Sequence, residues 1–280
     1  MSDDGGDQHE ADHPAPGAGA SRARSGPSLM VIGAALVIVV GLGVVGWALV
    51  RSDPDPAPTL SAPDTRLDVV PVPMVAGCWT VAPGPQTYVG YRIDEEIVGV
   101  PTPSEVTGRT PAVEGGIIIR GDEIIGGVLA ADLRQLASDD PERDDALRTR
   151  GLETDVHPQA IFLLAGGTTV PTPIEAGTPV QVALSGDLDL HGETRPLTLE
   201  VQAQVLGQGD DTQIEAIATA PLRLADHGIE PPDVASVLSV ADEGQLEVSV
   251  RLVRDDATCQ AIADQTAPSG GASPPGTGGP

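Results

Sequence analysis

The chain has 280 residues and a net charge of −26, from 41 acidic and 15 basic side chains, and every basic residue is Arg. Such acidity excludes partners held through phosphates, because nucleic-acid binding needs a basic stripe that releases counterions. The 34 Gly and 27 Pro stand beside only five aromatics, Trp47, Trp79, Tyr88, Tyr91 and Phe162; the core is therefore aliphatic and part of the chain does not fold, which argues against one compact enzyme.

Residues 1–28 carry Asp3, Asp4, Asp7, Glu10 and Asp12 among Gly, Ala and Pro. Too little apolar surface is present to offset ordering entropy, so the segment reads as a disordered, acidic cytoplasmic tail. Residues 29–50 form an uncharged apolar run of 22 residues, about 33 Å as a helix, and are expected to span a bilayer once. Arg22 and Arg24 precede the run, while Arg51 follows with Asp53 and Asp55. This bias puts the N-terminus in the cytoplasm and the C-terminal domain outside the cell membrane. A cleaved signal peptide is the rival reading, but its apolar region normally runs to about 7–15 residues and no A-x-A site follows Trp47. Val75-Ala76-Gly77-Cys78 is superficially like a lipoprotein cleavage box, yet the stretch before it is charged and Pro-rich rather than apolar.

Residues 51–75 read as an extended Pro-rich linker, 76–263 as the folded domain and 264–280 as a disordered Pro/Gly tail. Within the domain, Val180, Val182, Leu184, Leu188 and Leu190 alternate with polar residues. After a turn at Gly192–Pro196, Leu197, Leu199, Val201, Ala203 and Val205 repeat the alternation, which predicts a long β-hairpin with one wet and one dry face. Leu246, Val248, Val250 and Leu252 show the same period, and residues 88–93, 107–120, 124–133 and 161–169 supply further strands. One helix interrupts them, capped by Asp140 with Pro141 in its first position and continuing through Leu152. The fold class is all-β: an antiparallel, lipocalin-like barrel of about eight strands with a short helical insert, since closure removes exposed edges.

Cys78 and Cys259 are the only cysteines and lie at the two ends of this unit. In an oxidising exterior they are expected to pair, first and last strands of an up-and-down barrel being neighbours. A free-thiol or redox role is the alternative.

Several segments together resemble the YceI-like family of extracytoplasmic lipid-binding proteins. Trp79-Thr80-Val81 with Thr87–Ile93 looks like its opening strand, and Val106–Thr110 like the next. Arg143-Asp144, Leu147, Leu152 and His157–Phe162 are similar to the stretch spanning its helix and the following strand. Gly186–Leu199 matches its most specific hairpin, and Asp226-His227-Gly228-Ile229 resembles a late turn. The resemblance implies a barrel holding an isoprenoid or fatty chain, with no other cofactor and no catalytic residue. It does not reach residues 1–75. Gln86-Thr87, Ala82 and Gly151-Leu152 depart from the family pattern, which bears on the identity of the ligand.

Lumen candidates are Val89, Tyr91, Phe162, Val182, Leu184, Leu188, Leu199, Val201, Val248 and Val250, with Tyr91 or Arg92 at a polar mouth. The period-two pattern alone does not separate a hollow lumen from a filled one, and a packed, ligand-free interaction module of the cell envelope is the alternative. The partners expected are membrane lipid and the bilayer; protein partners are not indicated. His157, His191 and His227 lack short ligand spacing, so no metal site is assigned. Arg143-Asp144 reads as a solvated helix face with weak ion pairs.

Overall fold

The computed structural model describes residues 54–62, 71–72, 76–171, 174–207, 209–232 and 234–266, all within the compact unit Val50–Pro280. The cytoplasmic tail, the expected span at 29–50 and the tail beyond 266 lie outside the described residues. Among the described residues no helix is long and apolar enough to cross a membrane.

The strands longer than two residues are β1 (Gly77–Ala82), β2 (Tyr88–Ile97), β3 (Ser104–Thr110), β4 (Val113–Arg120), β5 (Glu123–Asp132), β6 (Gln159–Leu164), β7 (Val180–Leu190), β8 (Glu193–Leu206), β9 (Gln213–Arg223), β10 (Val237–Val240) and β11 (Glu243–Arg254). Neighbours from β4 through β9 follow chain order, and β9 then pairs with β11. One edge of β11 takes β1 at residues 251–254 and β2 at residues 245–249. β1 pairs on with β4, and β2 with β3. Thus β1/β2 and β3/β4 are each one interrupted strand, and the ring closes as an eight-stranded antiparallel barrel.

Each interruption has a local cause. Between β1 and β2 the chain turns at residues 83–87, where Thr87 Oγ1 donates to the Ala82 carbonyl at 2.8 Å. Between β3 and β4 stands Pro111, which has no N–H for a ladder. The run 107–120 is therefore two strands. The β7–β8 turn is also tighter than expected: β8 begins at Glu193 and the loop is only His191-Gly192, with φ of 56° and 78°. Two successive positive φ values make the turn that matches strand twist in a two-residue hairpin, so Pro196 lies in the strand.

Asp140 caps α1 (Pro141–Ala146), its side chain accepting from the Glu142 and Arg143 amides, and a π-helical turn at Leu147–Gly151 prolongs it. A second helix not foreseen from sequence, α2 (Cys259–Thr266), packs on β4 and β5 and buries Ile262. Cys78 is fully buried and is not a free thiol; the side chain of Cys259 lies outside the described residues.

Candidate functional site

Alternation along the strands aims one set of side chains inward, and these leave space rather than filling it. One cavity, about 1170 Å³ with its open mouth included, is walled by Val182, Leu184, Leu199, Val201, Val248 and Val250, with Phe162 at its inner limit. Gln204 is the only polar residue among those bordering it; its side chain turns outward, where Nε2 donates to the Ser61 carbonyl and to Glu215. A second cavity, about 1070 Å³ on the same measure, is lined by Val89, Tyr91 and Leu188 together with Arg143 and Leu147 of the helical insert and Leu152 after it. The two abut: Val89 is paired in register with Val248, and Leu188 with Phe162. All ten lumen candidates thus lie on a cavity wall.

The second chamber carries charge that the alternation did not reveal. Glu95 continues the inward series Val89, Tyr91, Ile93. Arg143 reaches it from α1, Nε to Oε1 at 3.1 Å, and its Nη1 donates to Asp139 at 2.9 Å and Ser138 Oγ at 3.1 Å. Only 4% of Arg143 and 9% of Asp144 is exposed, which corrects the expectation of a solvated helix face: the first turn of α1 points into the barrel end. Asp144 accepts from the Ser138 amide and hydroxyl. Burial, with the Glu95, Asp144 and Asp139 carboxylates, pushes the Tyr91 phenol above the usual tyrosine range, against the opposing pull of Arg143. A charged residue at an inward strand position was the one signal available in sequence for this cluster.

Arg92, offered as a mouth residue, turns instead to the outer face. It pairs with Glu105 and, at 2.6 Å, with Glu247, a carboxylate with no solvent exposure. Arg109 approaches Glu247 at 3.3 Å. Over this cluster runs a strap, residues 54–62, from the expected linker. Arg92 donates to the Asp55 carbonyl at 2.7 Å, Arg109 to the Pro56 carbonyl, and the Asp55 amide to Thr107 Oγ1. At the other end, the Ser61 amide and hydroxyl donate to Glu215 at 3.0 and 2.7 Å, and Gln204 donates to the Ser61 carbonyl. This part of the linker is therefore bonded to the barrel wall.

The fold also gathers the histidines. The His157 and His191 rings lie 4.7 Å apart, His191 Nδ1 is 3.1 Å from the His227 carbonyl, and His227 Nδ1 is 3.1 Å from the Glu193 carbonyl. His227 thus offers its neighbour a main-chain oxygen rather than its ring, and among the described residues no cluster has the composition to hold a metal.

Comparison with known families matches residues 79–252 to the YceI-like domain. The chain belongs to the YceI-like family. The match covers the barrel from Trp79 to Leu252 and omits the strap. Among solved structures, a polyisoprenoid binding domain from Saccharophagus degradans implicated in plant cell wall breakdown is similar, with a TM-score of 0.51 and 17% identity over 65% of this chain and 100% of that one. Burkholderia cenocepacia BcnA gives a TM-score of 0.42 and 16% identity over 59% and 95% of the two chains. The Campylobacter jejuni YCEI protein gives 0.42 and 13% over 51% and 82%. At these identities the likeness concerns the YceI-like fold. No curated protein matches the chain.

Proposed function

We propose that this YceI-like chain is an extracytoplasmic, membrane-tethered binding or carrier protein for an isoprenoid-type or other long-chain lipid held in the barrel lumen. The carrying observation is the pair of abutting cavities: walls of aliphatic side chains around unfilled space favour a long apolar ligand, as dispersion contacts and area removed from water both reward its entry. The Saccharophagus degradans domain, described as binding a polyisoprenoid, supports the same ligand class. The cavities weigh against the packed, ligand-free alternative.

The tether in this reading is the apolar run 29–50, argued from its length and flanking charge. Asp55 is bonded to the barrel, so the stretch from Asp55 to Ser61 is not free spacer. A Cys78–Cys259 bridge belongs to the same reading. Its support is the buried, non-free Cys78 and the Asp255 amide donating to the Cys78 carbonyl at 3.0 Å, four residues before Cys259.

The test is to purify the full chain from its membrane in detergent, extract it, and weigh the co-purifying lipids against those of a Val182→Asp variant. A stoichiometric isoprenoid or acyl chain on the wild type alone is expected. Equal lipid on both proteins would remove the lumen from consideration.

A further inference from the structure

The two chambers differ in one respect that bears on how a ligand lies in them. The chamber of Val182 and Val250 has no polar side chain pointing into it, Gln204 turning outward to Ser61 and Glu215, whereas the chamber beneath α1 is lined by two hydrogen-bond donors, Arg143 and Tyr91. Arg143 is buried, and with Nε and Nη1 engaged its Nη2 is out of contact with solvent and has no hydrogen-bond partner among the described residues. Tyr91 lines the same chamber with its ring lying across Gly108, and the influences on its phenol are burial and charge, with no hydrogen bond among them. A buried donor left unpaired, as Arg143 Nη2 is, is costly, and native structures seldom keep one without a use.

Resting on the lumen reading above, we infer that the chamber beneath α1 receives the oxygen-bearing end of the ligand, that Tyr91 Oη and Arg143 Nη2 donate to it, and that this end is uncharged. The charge balance decides the last point. The charges acting on Tyr91 are one cation, Arg143, and three carboxylates, Glu95, Asp144 and Asp139. Arg92 contributes nothing inside, because its guanidinium is spent on Glu247, Glu105 and the strap. A phosphate or carboxylate entering here meets a net negative, weakly solvated surround and is repelled. A carbonyl, hydroxyl or ether oxygen accepts both hydrogen bonds without adding charge. The apolar tail then passes the Val89–Val248 and Leu188–Phe162 pairs into the first chamber.

The experiment titrates the detergent-solubilised full chain with three probes of one chain length, a C20 isoprenoid alcohol, its monophosphate and the corresponding C20 hydrocarbon, read by native mass spectrometry. The alcohol is expected to bind about tenfold more tightly than the hydrocarbon, and the monophosphate more weakly than the alcohol. Tyr91→Phe removes only the hydroxyl; it is expected to shrink the preference for the alcohol over the hydrocarbon. Arg143→Lys keeps the charge and loses Nη2, and should act in the same direction; if it does not fold, Tyr91→Phe carries the test. Alcohol and hydrocarbon binding equally to the wild type, a monophosphate that binds best, or a Tyr91→Phe variant that holds the alcohol unchanged would each overturn the head-end assignment while leaving the lumen reading standing. If no probe binds the wild type, both fall together.

Discussion

Glu153 and His191 are the two non-glycine residues with positive φ among the described residues, at 47° and 56°, and they touch each other, Oε2 to Nε2 at 3.1 Å. Each strained backbone is thus held by the other's side chain, and the contact joins the loop after the helical insert to the β7–β8 turn. His191→Asn retains a residue tolerated at positive φ and is expected to cost no more than about 1 kcal/mol, whereas His191→Val, β-branched, is expected to cost about 2–3 kcal/mol. Urea unfolding of the two variants checks this, and equal losses would mean that the turn geometry is not what His191 supports.

Glu247 is the most enclosed charge in the barrel wall, between Arg92 and Arg109. Glu247→Ala leaves two guanidinium groups without their shared carboxylate, and a loss of about 3–5 kcal/mol is expected from the uncompensated charge. Glu247→Gln keeps the shape and is expected to lose less. A change below about 1 kcal/mol for Glu247→Ala in equilibrium denaturation would show that water reaches this cluster freely.

Acid should unfold the strap region first. Burial acts to raise the Glu215 carboxyl, but hydrogen bonds from Ser61 and Gln204 and the Arg251 charge outweigh it, so its pKa is lowered on folding. A carboxyl lowered on folding contributes stability above its unfolded pKa, and that contribution is lost as pH falls through the folded value. Ser61→Ala removes a donor and is expected to cost about 1 kcal/mol at neutral pH and less in strong acid, where Glu215 is protonated in both states. Stability measured across pH 2–7 (roughly the carboxyl range) decides it; a Ser61→Ala penalty that is flat with pH would refute the linkage.

Filling the lumen should separate folding from binding. Ala218 is buried, faces the first cavity and is paired with Val248. Ala218→Phe places a ring in that space, so the variant is expected to fold with stability within about 1–3 kcal/mol of wild type and to lose co-purified lipid. Unchanged lipid content in a folded variant would contradict a lumenal site.

If Cys78 and Cys259 are bridged, the loop they close is long enough for a stabilisation of roughly 4–5 kcal/mol on the chain-entropy model. Cys78→Ser, or reduction in denaturant followed by refolding, is expected to lower the urea midpoint accordingly, and free-thiol titration of the unfolded wild type should find none. Two titratable thiols would end the proposal.

Period-two hydrophobicity carried the inner face of the barrel plainly, because Val182, Leu184, Leu199, Val201, Val248 and Val250 repeat on alternate positions of long strands. β9 does not stand out in the sequence for the converse reason: its inward positions after Ile214 are Ala216, Ala218 and Ala220, too small to show beside the outward Ile217. Small residues there are also what leaves room in the cavity. Outward Glu247, Glu215 and Gln204 read as ordinary wet-face residues, and their burial depends on a segment more than 140 positions away in sequence, a relation no local pattern encodes. The same holds for Arg143, whose pairing with Glu95 is set by where α1 docks rather than by its own neighbours.

The strap also gives the barrel a load path. A pull on the chain ahead of Asp55 is met at once by Arg92 on β2 and by Arg109 and Thr107 on β3, then by Gln204 on β8 and Glu215 on β9 through Ser61, and the pairing of Pro71–Val72 with Ile174–Glu175 still stands between Ser61 and β1. Force is thus shared sideways among four strands of a closed ring before it can peel the first of them. A protein hauled by its N-terminal end would surrender the strap as a mechanical fuse while the walls around the cavities keep their register.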